Sequence, residues 1–419
     1  MFSYSQKKNT FYLLLFAWFC KIVAAILLGF IYQQHYQGGD TFSLFEDGKE
    51  LYFLAKENFE AYLDVIFSTL LGKKSLYSQM LDNQNPRAVL MAIYNSVLVF
   101  IVGPNYWLAA MLTASMHFVI IILLIKQLEE QFYLSKLRLY AAFVFFPSVL
   151  FWSSGLLKET LLTAGLYLVI IIYLKLLNKK VHLAMLQNSI FLLILLILLG
   201  LLFRLKYYYI AVFVPLIFAH YVASKLKPFL IGIFKNEKVL FVQFAILLFL
   251  FLGSVLLATL SHPNLQLDFV LEAIVQNNEK MAAETTDATN LINYSDLNAA
   301  PISFLKNLPH AFFQGLIRPY IWEEGNIFKK WVAVENACIV LMMLFALYKV
   351  VMRKINNPHF LEIATIVLFS IVMLALLSMA TPNLGTLTRY KVGFLPFLLL
   401  LILPSKSLNF IAKNDLHNR

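Results

Sequence analysis

Charge and cysteine are scarce in this sequence. Only 14% of its 419 residues are charged and two are cysteine, against 60% hydrophobic residues and a mean hydropathy of +0.74. So few ionic side chains cannot cover water-soluble cores built from that much apolar material, which excludes a soluble globular protein. Cys20 and Cys338 each lie inside an apolar run, where cysteine behaves as a small hydrophobe. A disulfide framework and a thiolate metal site are therefore excluded. The sequence also lacks a Gly-rich phosphate loop, HExxH, CxxC and a supported GxSxG, which argues against an ATPase or a metalloprotease.

Long apolar runs are what the chain has instead. Stretches such as Ile190 to Phe203 and Phe241 to Leu260 are apolar on every side, whereas a membrane β-barrel needs segments of about 10 residues alternating in polarity. The expectation is an all-α polytopic membrane protein with about 10 transmembrane helices, each close to the ~20 residues that cross a ~30 Å hydrocarbon core. By apolar length the spans are Thr10 to Tyr32, Asn105 to Ile125, Leu137 to Trp152, Leu157 to Leu174 and Ile190 to Phe203, then Tyr207 to Val222, Leu240 to Leu260, Trp331 to Tyr348, Leu361 to Met379 and Val392 to Leu403. The first span follows Lys7 and Lys8 without a small-residue cleavage site, so it reads as a retained insertion signal.

A net charge of +11 in such a chain is a topology signal before it is a nucleic-acid signal, and no nucleic-acid partner is expected. With the N-terminus cytoplasmic, cations such as Lys126, Lys136, Arg138, Lys175, Lys225, Lys227, Lys238, Lys349 and Arg353 fall in short inner loops. Both termini are then cytoplasmic. Arg87 to Gly103 is apolar enough to be an eleventh span, but a crossing there would invert every later loop. An interfacial or partly re-entrant helix fits better.

Most of the 23 carboxylates fall in two long outer segments, Gln33 to Pro104 and Ser261 to Lys330. Leu51 to Leu71 repeats apolar residues at three and four spacing, predicting an interfacial helix. Asn277 to Asn298 is polar enough to be mobile. The expected organisation is a membrane module over 1–260 with its first outer loop at 33–104, an outer loop with an interfacial helix over 261–330, and a three-helix segment with a short tail over 331–419. No pair of Gly/Pro-broken spans marks two matching halves, which argues against an inverted-repeat transporter.

Candidate chemistry lies at the outer ends of the spans, where an ion beside hydrocarbon demands a reason. Gly38-Gly39-Asp40 lets the backbone turn tightly and offers a carboxylate at the membrane rim; a solvated acidic turn is the competing account. In the outer hairpin after Phe146-Pro147, Lys158 and Glu159 are adjacent, about 100° apart on a helix, so one faces the exterior unless they are a snorkelling lysine and a helix-start acid. Arg204 and Lys206 precede Tyr207-Tyr208-Tyr209 and suit a phosphate, or else an aromatic belt with snorkelling cations. Arg318 with Glu323, and Arg389, sit beside aromatics at two further outer turns, where interfacial anchoring competes. Lys21, His117 and His220 read as packing or snorkelling residues.

The order of these features resembles the C-type integral-membrane glycosyltransferases that use polyprenyl-phosphate sugars. Gly39-Asp40 resembles that family's first-loop acid. Asn85-Pro86-Arg87 to Gly103-Pro104-Asn105 resembles its Pro-led stretch into the second span, Lys126 to Glu159 its basic loop and outer hairpin, and Arg204 its later arginine. Where the family often has an acidic pair, a single Asp stands here, with Glu46 and Asp47 further on. Arg318-Pro319 and Thr388-Arg389-Tyr390 are similar to outer-loop arginines of bacterial O-antigen-type polymerases.

The resemblance implies a transferase moving a sugar from a polyprenyl-phosphate donor to a glycan or lipid acceptor at the outer face of a bacterial cytoplasmic membrane, with membrane lipid as its surroundings. Asp40 and Glu159 would be catalytic; Lys158, Arg204, Lys206, Arg318, Glu323 and Arg389 would hold phosphate or glycan. No cofactor and no metal are expected. Two alternatives are a polymerase of diphosphate-linked repeat units and, from another class, a flippase or transporter of a lipid-linked glycan.

Overall fold

Backbone inside hydrocarbon has no water to bond, so runs that must cross it close their own hydrogen bonds as helices. A computed structural model describes residues 2–177, 185–234, 236–261, 265–353 and 359–403. It is 85% helical, without a strand among the described residues, as an all-α polytopic membrane protein requires. Among the described residues seven helices are long and apolar enough to cross a membrane, or eight if one bent pair forms a span. Two compact units divide the chain, Met1–Gln131 with Leu139–Ile210 and Phe132–Arg138 with Ala211–Arg419, so the division falls within the segment expected as one module over 1–260.

The helices up to the first part of α9 run α1 (Phe2–His35), α2 (Gly39–Glu57), α3 (Phe59–Leu71), α4 (Pro86–Val102), α5 (Tyr106–Phe132), then the short α6 (Lys136–Tyr140) and α7 (Pro147–Trp152), α8 (Lys158–Leu177) and the start of α9 (Met185–Ile233); of these, Phe132 and the first three residues of α6 group with the second unit. The amphipathic stretch expected over Leu51 to Leu71 is two helices. Asn58 leaves helical geometry (φ −145°, ψ 92°) and its Oδ1 accepts from Ala61 N–H at 3.0 Å, while Gly72 ends α3 in the left-handed region. The α4 helix covers the disputed Arg87 to Gly103 segment and is too short to count among the crossing helices. It lies tightly along α2. A Cβ on Gly48 would stand 2.5 Å from Asn95 Cβ, and Asn95 Nδ2 donates to Leu44 O at 2.8 Å. Leu51, Ala55, Tyr62, Val65, Val89 and Ala92 fill the space among α2, α3 and α4.

Three expected spans depart from continuous helices. Leu137 to Trp152 is α6, a π-helical turn Ala141–Phe145 and α7. Pro147 has no N–H to continue the ladder and leaves Phe146 extended (φ −65°, ψ 122°). Ile190 to Phe203 and Tyr207 to Val222 are the two arms of α9, separated by one non-helical residue, Lys206 (φ −149°, ψ 78°). The last, Val392 to Leu403, holds only the eight-residue helix Leu395–Ile402, which follows the helix Leu384–Lys391 at a bend of 72°.

In the second unit the remainder of α9 is followed by α10 (Asn236–Ser261), α11 (Leu267–Glu284), α12 (Pro301–Ile317), α13 (Ile327–Arg353), α14 (Phe360–Ala380), and the bent pair α15 (Leu384–Lys391) and α16 (Leu395–Ile402). Leu271, Ile274, Phe304, Ala311, Ala375 and Met379 pack α11 and α12 onto α14. Polarity over Asn277 to Asn298 does not make that segment loose. It is helical to Glu284, and beyond it Ile292 N–H donates to Pro382 O at 2.9 Å and Asn307 Nδ2 to Ser295 O at 3.1 Å. Two elements are broken, at Phe146-Pro147 and between α15 and α16, and hydropathy, which averages over a window, does not register such breaks.

Candidate functional site

The hairpin from Ser153 to Leu157 has no regular structure, so its carbonyls need partners from elsewhere. Three elements supply them. Lys21 Nζ, from the middle of α1, donates to Ser153 O at 2.6 Å and to Ser153 Oγ at 2.7 Å. Thr41 Oγ1, from the first turn of α2, donates to Leu156 O at 3.1 Å, and Thr160 Oγ1, from α8, donates to Gly155 O at 2.8 Å. Phe42 packs against Leu28, Tyr32 and Leu157 on the same flank. Asp40 therefore opens a helix whose next two residues touch the two residues before Lys158. Asp40 is exposed and Lys158 half-buried.

Glu159 does not reach the surface. It is fully buried in the first turn of α8, and its Oε1 lies 2.5 Å from Lys206 Nζ, itself 5% exposed. Lys206 is also the residue at which α9 breaks, so the ion pair ties that break to the start of α8. Two residues earlier, Arg204 is half-buried with its guanidinium against Gly72, at the C-terminal end of α3, where helix carbonyls favour a cation. It makes no hydrogen bond or ion pair among the described residues. Sequence reasoning treated Arg204 and Lys206 as one cationic pair; the structure separates a neutralised lysine from an arginine with open donors.

Lys21 and His117 were read as packing or snorkelling residues, and in the structure both are packed in the interior. Lys21 is fully buried instead of reaching toward headgroups. His117 Nε2 lies 3.0 Å from Thr163 Oγ1, and its ring stacks on Tyr167 with centroids 5.8 Å apart. Together with Ser153, Ser154, Thr160 and Thr163 they line a buried polar seam behind the hairpin. A lysine amid an otherwise apolar span was the signal that pointed to it. Asp47, one of the acids following Asp40, is also buried, accepting from Asp82 N–H at 2.9 Å and Asn83 Nδ2 at 3.1 Å, which fastens the turn before α4.

In the second unit Arg318 and Glu323 form a closed clasp. Arg318 Nε and Nη2 reach Glu323 Oε1 and Oε2 at 2.7 and 3.0 Å; Nη1 and Nη2 also donate to Leu291 O and Thr289 O at 2.6 and 3.0 Å. Tyr320 N–H adds a bond to Glu323 Oε1 at 3.0 Å and Lys329 Nζ stands 3.4 Å from Oε2. Burial works to raise the Glu323 carboxyl, but these donors and the Arg318 charge outweigh it and hold the group below the usual glutamate range. Four bonds from the Arg318 fork are thus taken up by the protein. Arg389 lies half-buried in the last turn of α15, near Lys391, whose buried Nζ donates to Gly315 O at 2.8 Å.

Of the eight residues singled out from sequence, Asp40, Lys158, Glu159, Arg204 and Lys206 belong to the first unit and Arg318, Glu323 and Arg389 to the second. Among the described residues no group of three His, Cys, Asp or Glu side chains could hold a metal ion. Compared with known proteins, the chain matches no family model, no curated protein and no solved structure.

Proposed function

We propose that the chain is a membrane glycosyltransferase that moves a sugar from a polyprenyl-phosphate donor to a glycan or lipid acceptor at the outer face of a bacterial cytoplasmic membrane. The observation that carries this reading is the Thr41–Leu156 strap, which sets the exposed carboxylate of Asp40 beside the hairpin that ends in Lys158. In this scheme Asp40 accepts the proton of the acceptor hydroxyl as its oxygen attacks the anomeric carbon. The bond from that carbon to the phosphate oxygen breaks, and Lys158 and Arg204 stabilise the charge that develops on the departing phosphate. Glu159 and Lys206 neutralise each other in the interior, so they act as positioning residues that fix the α8 start and the α9 break. The Arg318–Glu323 clasp shapes its own loop, and Arg389 is a glycan or lipid-phosphate ligand.

The same proposal places both termini in the cytoplasm with about ten crossings. It counts α9 twice, because 45 apolar residues from Ser189 to Ile233 would extend about 68 Å, more than twice a ~30 Å core. It also counts the broken Lys136–Trp152 element and the bent α15–α16 pair once each. The test is complementation of a deletion strain with Asp40→Asn. Loss of one sugar from the cell-surface glycan supports single transfer, loss of a length ladder supports repeat-unit polymerisation, and unchanged glycan assembly refutes the mechanism.

A lipid-linked glycan flippase is the second reading. Two broken helices, at Phe146-Pro147 and between α15 and α16, favour it, because discontinuous spans expose backbone groups to a cargo. Transfer activity of the purified protein in detergent would eliminate it.

A further inference from the structure

Four cations near the α9 break have no anionic partner among the described residues. Arg204 lies with its guanidinium against Gly72, and Lys73 and Lys74 follow in the same exposed turn. Arg87, half-buried in the first turn of α4, sits over the ring of Tyr207 with its Cζ 5.0 Å from the centroid. Tyr207 directly follows the α9 break and is three residues from Arg204, so one short stretch of α9 meets both the Gly72 turn and the start of α4.

None of the four side chains forms a hydrogen bond or an ion pair among the described residues. Three acids of this region are engaged elsewhere. Asp64 on α3 accepts from Ser68 Oγ at 3.3 Å and Ser75 Oγ at 2.5 Å, Asp47 accepts from Asp82 and Asn83, and Glu159 holds Lys206.

Two guanidinium forks whose five donors each are taken up by no described protein group are open to a ligand's oxygens. The Tyr207 ring packs against the Arg87 guanidinium and steadies it. Such forks match phosphoryl oxygens two at a time. A phosphodiester brings about one negative charge, too little for four cations, whereas a diphosphate brings about two or three.

We propose that Arg87 and Arg204, with Lys73 and Lys74 at the rim and Tyr207 orienting Arg87, form a diphosphate-binding site. This rests on the transferase reading for its setting and deepens it: the substrate or acceptor carries a diphosphate group, whether on a lipid or on a soluble ester.

The test is calorimetric titration of the purified full-length protein with inorganic pyrophosphate, with orthophosphate and sulfate in parallel. Saturable binding of pyrophosphate is expected, at least about tenfold tighter than orthophosphate, and Arg87→Ala and Arg204→Ala each weaken it about tenfold or more. Arg87→Lys keeps the charge and guards against misfolding; it weakens binding as well, because an ammonium lacks the fork. Lys73→Ala with Lys74→Ala gives a smaller loss, which fades as salt rises.

Competition separates the sources of the group. Displacement of pyrophosphate by polyprenyl diphosphate in nanodiscs but not by a nucleoside diphosphate identifies a lipid ligand, and the reverse identifies a soluble one. Absence of saturable binding, equal affinity for orthophosphate, or unaltered binding by both alanine variants overturns the proposal. The readout is binding, so it fails separately from the Asp40→Asn assay: unchanged glycan assembly there sinks the transfer mechanism and leaves this site standing.

Discussion

Replacing Glu159 by Gln removes one member of an ion pair that has no access to water on the carboxylate side and 5% exposure on the ammonium side. At 2.5 Å and an effective dielectric constant of about 20, the Coulomb attraction is about 6–7 kcal/mol. Taking both ions out of water opposes it by several kcal/mol per ion, roughly, so the pair as a whole contributes little net stability. The single substitution is different. It leaves the Lys206 ammonium buried without its counter-ion, at a cost of about 3–5 kcal/mol, and Lys206→Met strands the carboxylate at a similar cost. The double variant Glu159→Gln with Lys206→Met should recover to within about 1 kcal/mol of wild type, giving a coupling of several kcal/mol. Reversible unfolding in mixed detergent micelles, read by tryptophan fluorescence, measures all four corners of that cycle. If either single substitution costs less than about 1 kcal/mol, or the double costs the sum of the two, the pair is not the buried contact that holds the α9 break to α8.

Two further outcomes test other parts of the molecule. Because donors hold the Glu323 carboxyl below its usual range, the clasp's contribution to stability is fully present above the ordinary glutamate pKa of about 4.3 and is lost as pH falls through the depressed folded value. Protease cleavage within 285–300 should therefore rise at acidic pH in the wild type, and already be high at neutral pH in Glu323→Gln; equal cleavage in both proteins at pH 7 would falsify this. Sidedness is checked by single cysteines in a background lacking Cys20 and Cys338. Lys73→Cys should react with a membrane-impermeant thiol reagent on intact cells and Lys238→Cys only after permeabilisation, and the opposite pattern inverts the proposed topology.

Run length made α1, α5, α8, α10, α13 and α14 legible in the sequence, because a helix needs only enough consecutive apolar residues to satisfy the hydrocarbon. Interruptions were harder to read. Pro147 and Lys206 were visible as residues, but the backbone break at each depends on neighbours that hold it open: Glu159, which anchors Lys206, lies 47 positions away. The same limit governs the candidate site. Asp40, Lys158 and Arg204 stood out by type and position, yet the difference between Arg204 with open donors and Arg318 with four bonds inside the protein depends on the carbonyls of Thr289 and Leu291, which no spacing rule announces. Lys21 read only as a packing or snorkelling residue because its acceptor is 132 residues away.

That separation bears on how the protein is made. Lys21 enters the bilayer with the first helix, while Ser153, which will receive its ammonium, has yet to be synthesised. At about 5–20 residues per second the wait lasts roughly seven to twenty-six seconds. During it a charge costing about 2.5–3.5 kcal/mol at mid-membrane must be sheltered by the insertion machinery or by local water. Arrival of the 147–159 segment ends that exposure, which makes it the step at which the nascent chain commits the first helix to its final depth.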